Sequence, residues 1–275
     1  MKESYATADF SRVVDKSKEL VEKYSKENVL VVVDIDNTLL AMNQDLGSDQ
    51  WFNWQIGLLK DNPRSPDLVA TDLDGLLGVQ GTLFSLSGMH PPEPMLPVQM
   101  AEIQKLGLTT VVLTSRGYGF RDATERELKR NGYDFGSTAP RIKEVRGRFM
   151  PFDPARPVAH GLSAEIVDEI KSRLQPVTYS GGIYMTAGQH KGYMLRTLLA
   201  RMEPKKPFKA IVFVDDHKKH TARMHSAFEN APVQLVTFHY TRETGNVSNF
   251  NDSQKRHVVE DWRRLEGFVE SVLVK

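Results

Sequence analysis

Cysteine is absent from the 275-residue chain. That excludes disulfide bonds, a thiolate nucleophile and any zinc site built on sulfur, and it suits a reducing or an oxidising compartment equally. No apolar run approaches the ~20 residues needed to span a bilayer. The opening stretch, Met1 to Phe10, carries no hydrophobic segment of the signal-peptide kind. As written the chain reads as cytoplasmic, or as periplasmic or secreted if Met1 stands in for a removed leader. A large charge of one sign is missing too. The formal net charge of +1 gives no global pull toward nucleic acid or a membrane surface, and neither is expected as a partner. Repeats and low-complexity segments are also lacking. A chain of this length with 40% hydrophobic and 26% charged residues has the composition of a soluble globular protein with a sizeable core.

What is present is organised around one stretch, Val29-Leu30-Val31-Val32-Val33-Asp34-Ile35-Asp36-Asn37-Thr38. An unbroken apolar run of this length reads as a strand buried on both faces, as in a parallel sheet. Two carboxylates, Asp34 and Asp36, fall at its end. Ligands of open α/β sheets bind in the crevice beyond the carboxyl ends of the strands. Two acids there repel each other unless a cation or a reaction uses them.

Around that strand the pattern alternates. An amphipathic helix is expected over about 8–26, and a polar, turn-rich stretch leads into helix Trp51–Lys60, broken by Pro63. Thr82–Ser87 reads as a short strand. Helix Leu96–Leu106 closes at Gly107, strand Thr109–Ser115 follows, and helix Gly119–Arg130 comes next. Tyr133–Phe135 reads as the start of another strand. A local basic run, Arg141, Lys143, Arg146 and Arg148, is read as solvated surface. Later come helix Ser163–Leu174, a hairpin turning at Gly181-Gly182, helix Lys191–Met202, strand Ala210–Val214, helix His220–Asn230 and strand Val233–Phe238. A C-terminal helix over Ser253–Val272 is expected to pack back on the core. The expected fold is α/β, a Rossmann-like three-layer sandwich with a mostly parallel sheet. The core spans 1–44 and 93–275, and 45–92 forms a small cap inserted after the first core strand.

Three apolar strands therefore end in polar clusters: Asp34-x-Asp36, Thr114-Ser115-Arg116 and Asp215-Asp216, with Lys191 at a helix start before the last. Parallel strands bring these ends to one side of the sheet. The inventory suits phosphoryl transfer. An oxygen-only carboxylate set fits Mg²⁺, a lysine and a hydroxyl can neutralise phosphoryl oxygens, and an aspartate can serve as nucleophile.

Asp34-Ile35-Asp36-Asn37-Thr38, Thr114, Lys191 and Asp215-Asp216, in that order, resemble the four motifs of the haloacid dehalogenase superfamily of phosphohydrolases, in its phosphatase form. The layout is similar to bacterial acid phosphatases, and Gly47 to Phe52 resembles an uncharacterised bacterial branch. The resemblance implies a Mg²⁺-dependent phosphatase acting on a small-molecule phosphomonoester through an aspartyl-phosphate. It implies Asp34 as nucleophile and metal ligand, and Asp36 as acid and base with its carbonyl on the metal. Thr114 would hold a phosphoryl oxygen, Lys191 would tie nucleophile to phosphate, and Asp216 would bind metal directly with Asp215 acting through water. Asn37, Ser115 and Arg116 are candidate substrate-binding residues. No further acid follows Asp216 at short spacing, where Lys218, Lys219 and His220 stand instead. A phosphotransferase, a phosphoprotein phosphatase and a non-catalytic metal- and phosphate-binding module are the alternatives. Trp51 and Trp54 suggest an aromatic or nucleotide leaving group.

Overall fold

A computed structural model describes residues 1–142, 147–203 and 207–273. The chain begins with strand β1 (Lys2–Thr7), where sequence reading placed none. Its side chains are mostly half-exposed, so it lacks the apolar signature of a buried strand. Helix α1 (Ser11–Tyr24) leads to β2 (Val29–Val33), in which all five residues are buried. A short antiparallel ladder then joins β3 (Ala41–Met42) to β4 (Met89–His90). Between them lie α2 (Asp49–Asp61) and α3 (Leu73–Leu86). The strand expected over 82–87 is therefore the last turns of a helix. Leu76, Gln80, Leu83 and Phe84 are its buried residues, and that spacing lays them along one helical face.

The core resumes with α4 (Leu96–Lys105), β5 (Thr109–Thr114) and α5 (Arg121–Arg130). Residues 133–135 form no strand; Tyr133 and Phe135 are buried in the core as a stacked pair instead. Arg141 and Arg148 of the basic run are exposed, while Lys143 and Arg146 lie outside the described residues. Strand β6 (Arg148–Phe149) and helix α6 (Ala164–Ile170) precede the hairpin β7 (Val177–Ser180) and β8 (Ile183–Met185). Gly181 and Gly182 turn it at φ +54° and +81°, the left-handed pair that a tight two-residue hairpin demands. Then follow α7 (Lys191–Ala200), β9 (Ala210–Asp215), α8 (Lys218–Ala227), β10 (Gln234–Tyr240), the short α9 (Thr244–Ser248) and α10 (Asp252–Leu273).

Eight strands form one sheet in the order β1-β10-β9-β2-β5-β8-β7-β6, parallel from β1 through β8 and antiparallel at β7 and β6. Because side chains alternate along a strand, β2 feeds two cores. Val29, Val31 and Val33 pack with residues of α1, α4 and α5 on one face. Leu30 and Val32 pack with α6, α7 and α8 on the other. This is a three-layer α/β sandwich with a Rossmann-like, mostly parallel sheet. Each fully buried valine or leucine contributes roughly 1.5–3 kcal/mol.

A third cluster stands apart from both faces. Leu46, Trp51, Leu76 and Leu83 of the insertion pack with Val258 of α10, and Trp262 and Leu265 lie against them. The C-terminal helix therefore packs on the insertion and not, as its pattern suggested, on the sheet core. Its apolar face is the same in either case, and nothing local to the helix specifies which partner covers it. Among the described residues no helix is long and apolar enough to cross a membrane.

Candidate active site at the sheet edge

Asp34 extends the β2 ladder by one step, donating its N–H to Val214 O at 3.0 Å. The chain then tightens. Ile35 O accepts from the N–H groups of Thr38, Leu39 and Leu40 at 3.0, 2.9 and 3.0 Å, which closes a single turn beyond the strand. Asn37 sits within it at φ +54°, a region that asparagine tolerates better than most residues. Its carboxamide nitrogen is buried without a hydrogen-bond partner. Thr38 Oγ1 accepts from the Asp216 N–H at 3.1 Å and ties this turn to the end of β9.

Lys191 is the first residue of α7 and is 1% exposed. Its ammonium lies 2.7 Å from Asp34 Oδ1 and 2.6 Å from Asp215 Oδ2. Two neighbours set its position. The loop before α7 is pinned to the end of β5: Thr114 O accepts from the Thr186 N–H and hydroxyl, and Ser115 O accepts from the Gly188 N–H. Within α7, Gly192 lets α8 approach, since a Cβ there would stand 2.5 Å from Ala227 Cβ.

The electrostatics follow from burial. Asp34 is pushed up to about 7 by desolvation, with Lys191 opposing and the charges of Asp215 and Asp36 adding to the rise. Burial would raise Asp215 as well. Lys191 and a hydrogen bond with His220 outweigh it, holding Asp215 down at about 2. Lys191 stays cationic against its burial because both carboxylates face it. Asp216 rises well above the carboxylate range through burial and the charge of Asp215, and its Oδ1 is buried with no partner.

Asp36 stands half-buried beside this cluster. Arg116 grips it with Nε–Oδ2 at 3.1 Å and Nη2–Oδ1 at 2.8 Å, a fork on a carboxylate. The remaining Arg116 contacts are Thr124 Oγ1 at 2.8 Å, Met89 Sδ at 3.4 Å and the Phe84 ring. Arg116 is thus turned inward onto Asp36. Thr114 is fully buried, and its hydroxyl accepts from the Arg116 N–H at 3.1 Å. Ser115 and Arg116 line a cavity of about 680 Å³ that also touches Asp36.

The structure thus brings together Asp34, Asp36, Thr114, Arg116, Lys191, Asp215 and Asp216. Three residues that sequence reasoning left out also belong here. His220 Nδ1 stands 3.1 Å from Asp215 Oδ1, and the His217 N–H donates to the same oxygen at 2.9 Å. From the insertion, Asp49 reaches in at the start of α2, its Oδ2 3.2 Å from His217 Nε2. Asp49, Asp216 and His217 hold their ligand atoms within 4.8 Å of one another, so an acid distant in sequence stands beside Asp216 in space. A helix-start aspartate after a capping serine is ordinary, and no spacing marks it. His190 caps α7, its Nδ1 accepting from the Tyr193 N–H, and stacks on that ring; burial lowers it to about 4. Trp51 is buried in the insertion's own cluster, and Trp54 packs edge-on against Phe250, so neither tryptophan lines the cavity.

The fold and site define an α/β protein with a buried carboxylate–lysine cluster at the carboxyl edge of a parallel sheet. The chain belongs to the family described as "Protein of unknown function (DUF2608)", whose profile matches residues 9–271. It is 25% identical over 202 residues to a Chlamydia pneumoniae protein named "Putative outer membrane protein", covering 73% of this chain. The match spans 64% of that relative's length. No solved structure matches the chain significantly.

Proposed function

We propose that the chain is a Mg²⁺-dependent phosphatase of the haloacid dehalogenase type, acting on a small-molecule phosphomonoester through an aspartyl-phosphate on Asp34. The observation that carries this reading is the buried Lys191 ammonium bridging Asp34 and Asp215. A buried triad of this kind is seldom a gain in stability over apolar packing. A reaction that needs an anionic nucleophile to meet an anionic ester gives it a use.

The residues fit a divalent cation with oxygen ligands. Asp216 offers a buried, unpartnered Oδ1 in a place that opposes its own ionisation, which a cation would relieve. Asp34, Asp216 and the Asp36 carbonyl would hold it, with Asp215 kept from direct binding by Lys191 and His220. When bound, Mg²⁺ supplies charge that lets nucleophile and phosphate approach.

In the first half of the reaction an Asp34 oxygen attacks phosphorus and the bond to the leaving oxygen breaks. Asp36 supplies that oxygen with a proton. In the second half water attacks phosphorus, gives its proton to Asp36, and the P–O bond to Asp34 breaks to release phosphate. Arg116 holds Asp36 in the rotamer that faces the cavity. Each Asp36 oxygen accepts one N–H from Arg116 and keeps a second lone pair for the transferred proton. Asn37, whose buried carboxamide nitrogen has no partner, would donate to substrate.

Asp34→Asn keeps the shape of the site and removes the nucleophile. Hydrolysis of para-nitrophenyl phosphate should fall at least a thousandfold with the melting temperature preserved, and substantial residual turnover would reject the assignment. EDTA should stop release and Mg²⁺ restore it; metal-independent absence of turnover would favour a binding module. The chlamydial relative's name as a putative outer membrane protein supports a location beyond the cytoplasm, periplasmic or secreted. Cell fractionation finding the chain in the cytoplasm would remove that part.

A further inference from the structure

The 680 Å³ cavity beside Asp36 has two unlike walls. The sheet-edge wall is made of backbone and small residues, among them Ser115, Gly117 and Gly188. The other wall comes from α2, α3 and Phe120: Phe52, Leu77, Phe84 and Phe120 give it apolar surface, with Asp49, Asp74 and Gln80 on the same two helices. We infer that this is a leaving-group pocket for an aryl or alkyl phosphomonoester that bears no charge beyond the transferred phosphate. The inference rests on the phosphatase reading for its chemistry, and on the cavity alone for the kind of group bound.

Charge argues the point first. Among the described residues lining the cavity, Arg116 is the cation, and its guanidinium is engaged by Asp36, Thr124 and Met89. The acids Asp36, Asp49 and Asp74 line the same space. A second phosphate, as in a nucleoside diphosphate or a sugar bisphosphate, would meet carboxylates with no free cation to receive it. Sugar hydroxyls could donate to those acids and to Gln80 and Gln175, but Phe52, Leu77, Phe84 and Phe120 offer them only carbon, so part of their hydrogen bonding to water would go unreplaced.

The glycines of α3 supply the second argument. Gly75, Gly78 and Gly81 interrupt a helix, where each costs about 1 kcal/mol relative to alanine. Two have packing reasons. A Cβ at Gly81 would stand 3.1 Å from the Phe120 ring, and one at Gly75 would stand 3.1 Å from Ala70 Cβ. At Gly78 a Cβ would meet no atom within 4 Å, and the residue lines the cavity. Helix packing therefore does not call for glycine there. A longer side chain there would project into the cavity without meeting the protein.

Gly78→Leu tests this without removing any charged or reacting group, and a helix-interior leucine should leave the fold at least as stable. Wild type is compared with the variant on 1-naphthyl phosphate, on the small ester ethyl phosphate and on glucose 6-phosphate. Binding of non-hydrolysable 1-naphthylphosphonate is followed in parallel by its fluorescence polarisation. The expected result is a wild-type preference for 1-naphthyl phosphate over glucose 6-phosphate of tenfold or more in kcat/KM. Gly78→Leu should raise KM for the naphthyl ester about tenfold or more and leave ethyl phosphate unchanged. Equal or better use of glucose 6-phosphate, or a variant indistinguishable from wild type on the naphthyl ester, overturns the pocket assignment. If nothing is hydrolysed but naphthylphosphonate binds wild type and not the variant, the pocket stands and the phosphatase reading falls. Failure of wild type to bind naphthylphosphonate overturns the pocket.

Discussion

Two regions meet at the cavity beside Asp36 and are held by different forces. Below it, the carboxyl edge of the sheet is dense and charged. Lys191, Asp34 and Asp215 are each at most 4% exposed, and the ammonium touches both carboxylates. Above it, the 45–92 insertion and α10 share a small apolar cluster of their own around Trp51, Leu76, Leu83 and Val258. Loss of Lys191 in the first region leaves two buried carboxylates uncompensated. Loss of an apolar partner in the second leaves a void in a layer that is separate from the sheet's two cores. The proposed chemistry would thus sit on the buried sheet edge, while the apolar wall of the cavity is shared: Leu77, Phe84 and Phe120 pack with the sheet core and Phe52 with the insertion's own cluster.

The largest expected effect breaks the charged side of this comparison. Lys191→Met should cost about 3–5 kcal/mol in urea denaturation at neutral pH, because Asp34 and Asp215 would face each other in the interior with no ammonium between them. A loss under 1 kcal/mol would mean that the ion cluster is not what holds this edge. On the apolar side, Leu76→Ala should cost about 2–4 kcal/mol. Hydrogen exchange should quicken in α2, α3 and α10 while the amides of β2 and β9 keep their protection. Uniform loss of protection would show that the two regions unfold as one.

The smallest effect lies at the far edge of the sheet and sharpens the contrast, since a charge there is half in water. Glu3 on β1 accepts from Tyr5 and Gln234 and pairs with Lys16 at 2.9 Å. Desolvation raises this carboxyl, but those donors outweigh it and the net shift is downward from 4.5. A depressed folded-state value contributes stability above the unfolded one and loses it as pH falls through the folded one. Glu3→Gln should therefore cost about 1 kcal/mol at pH 7, allowing for solvent screening. The difference should shrink below pH 4.5 and vanish once the folded carboxyl is itself protonated. A pH-independent difference would assign the effect to packing.

Much of the site was legible in the sequence because its elements are of the kind that burial marks. Strands β2, β5 and β9 are buried along nearly their whole length, so unbroken apolar runs reveal them, and their polar ends stand out by contrast. Strand β1 was not legible: at the edge of the sheet its residues are half in water and carry no such run. Helix α3 was misread over 82–87 because Gly75, Gly78 and Gly81 weaken its helical signal while Thr82, Leu83 and Phe84 favour a strand locally. Arg116 read equally as a substrate ligand or a carboxylate partner, and its fork on Asp36 is a matter of side-chain geometry that spacing does not encode.

By itself the sequence determined the alternating α/β order, the hairpin at Gly181-Gly182 and the strand ends that carry Asp34, Thr114 and Asp215. Periodicity and turn chemistry are local, and parallel pairing sends strand ends to one side without further instruction. Only the tertiary structure decided that Asp49 joins Asp216 and His217, that α10 covers the insertion, and that phenylalanines rather than tryptophans face the cavity. Those are pairings between surfaces far apart in the chain. An apolar helix face or a helix-start aspartate looks the same whichever partner it meets, so the choice is made by packing.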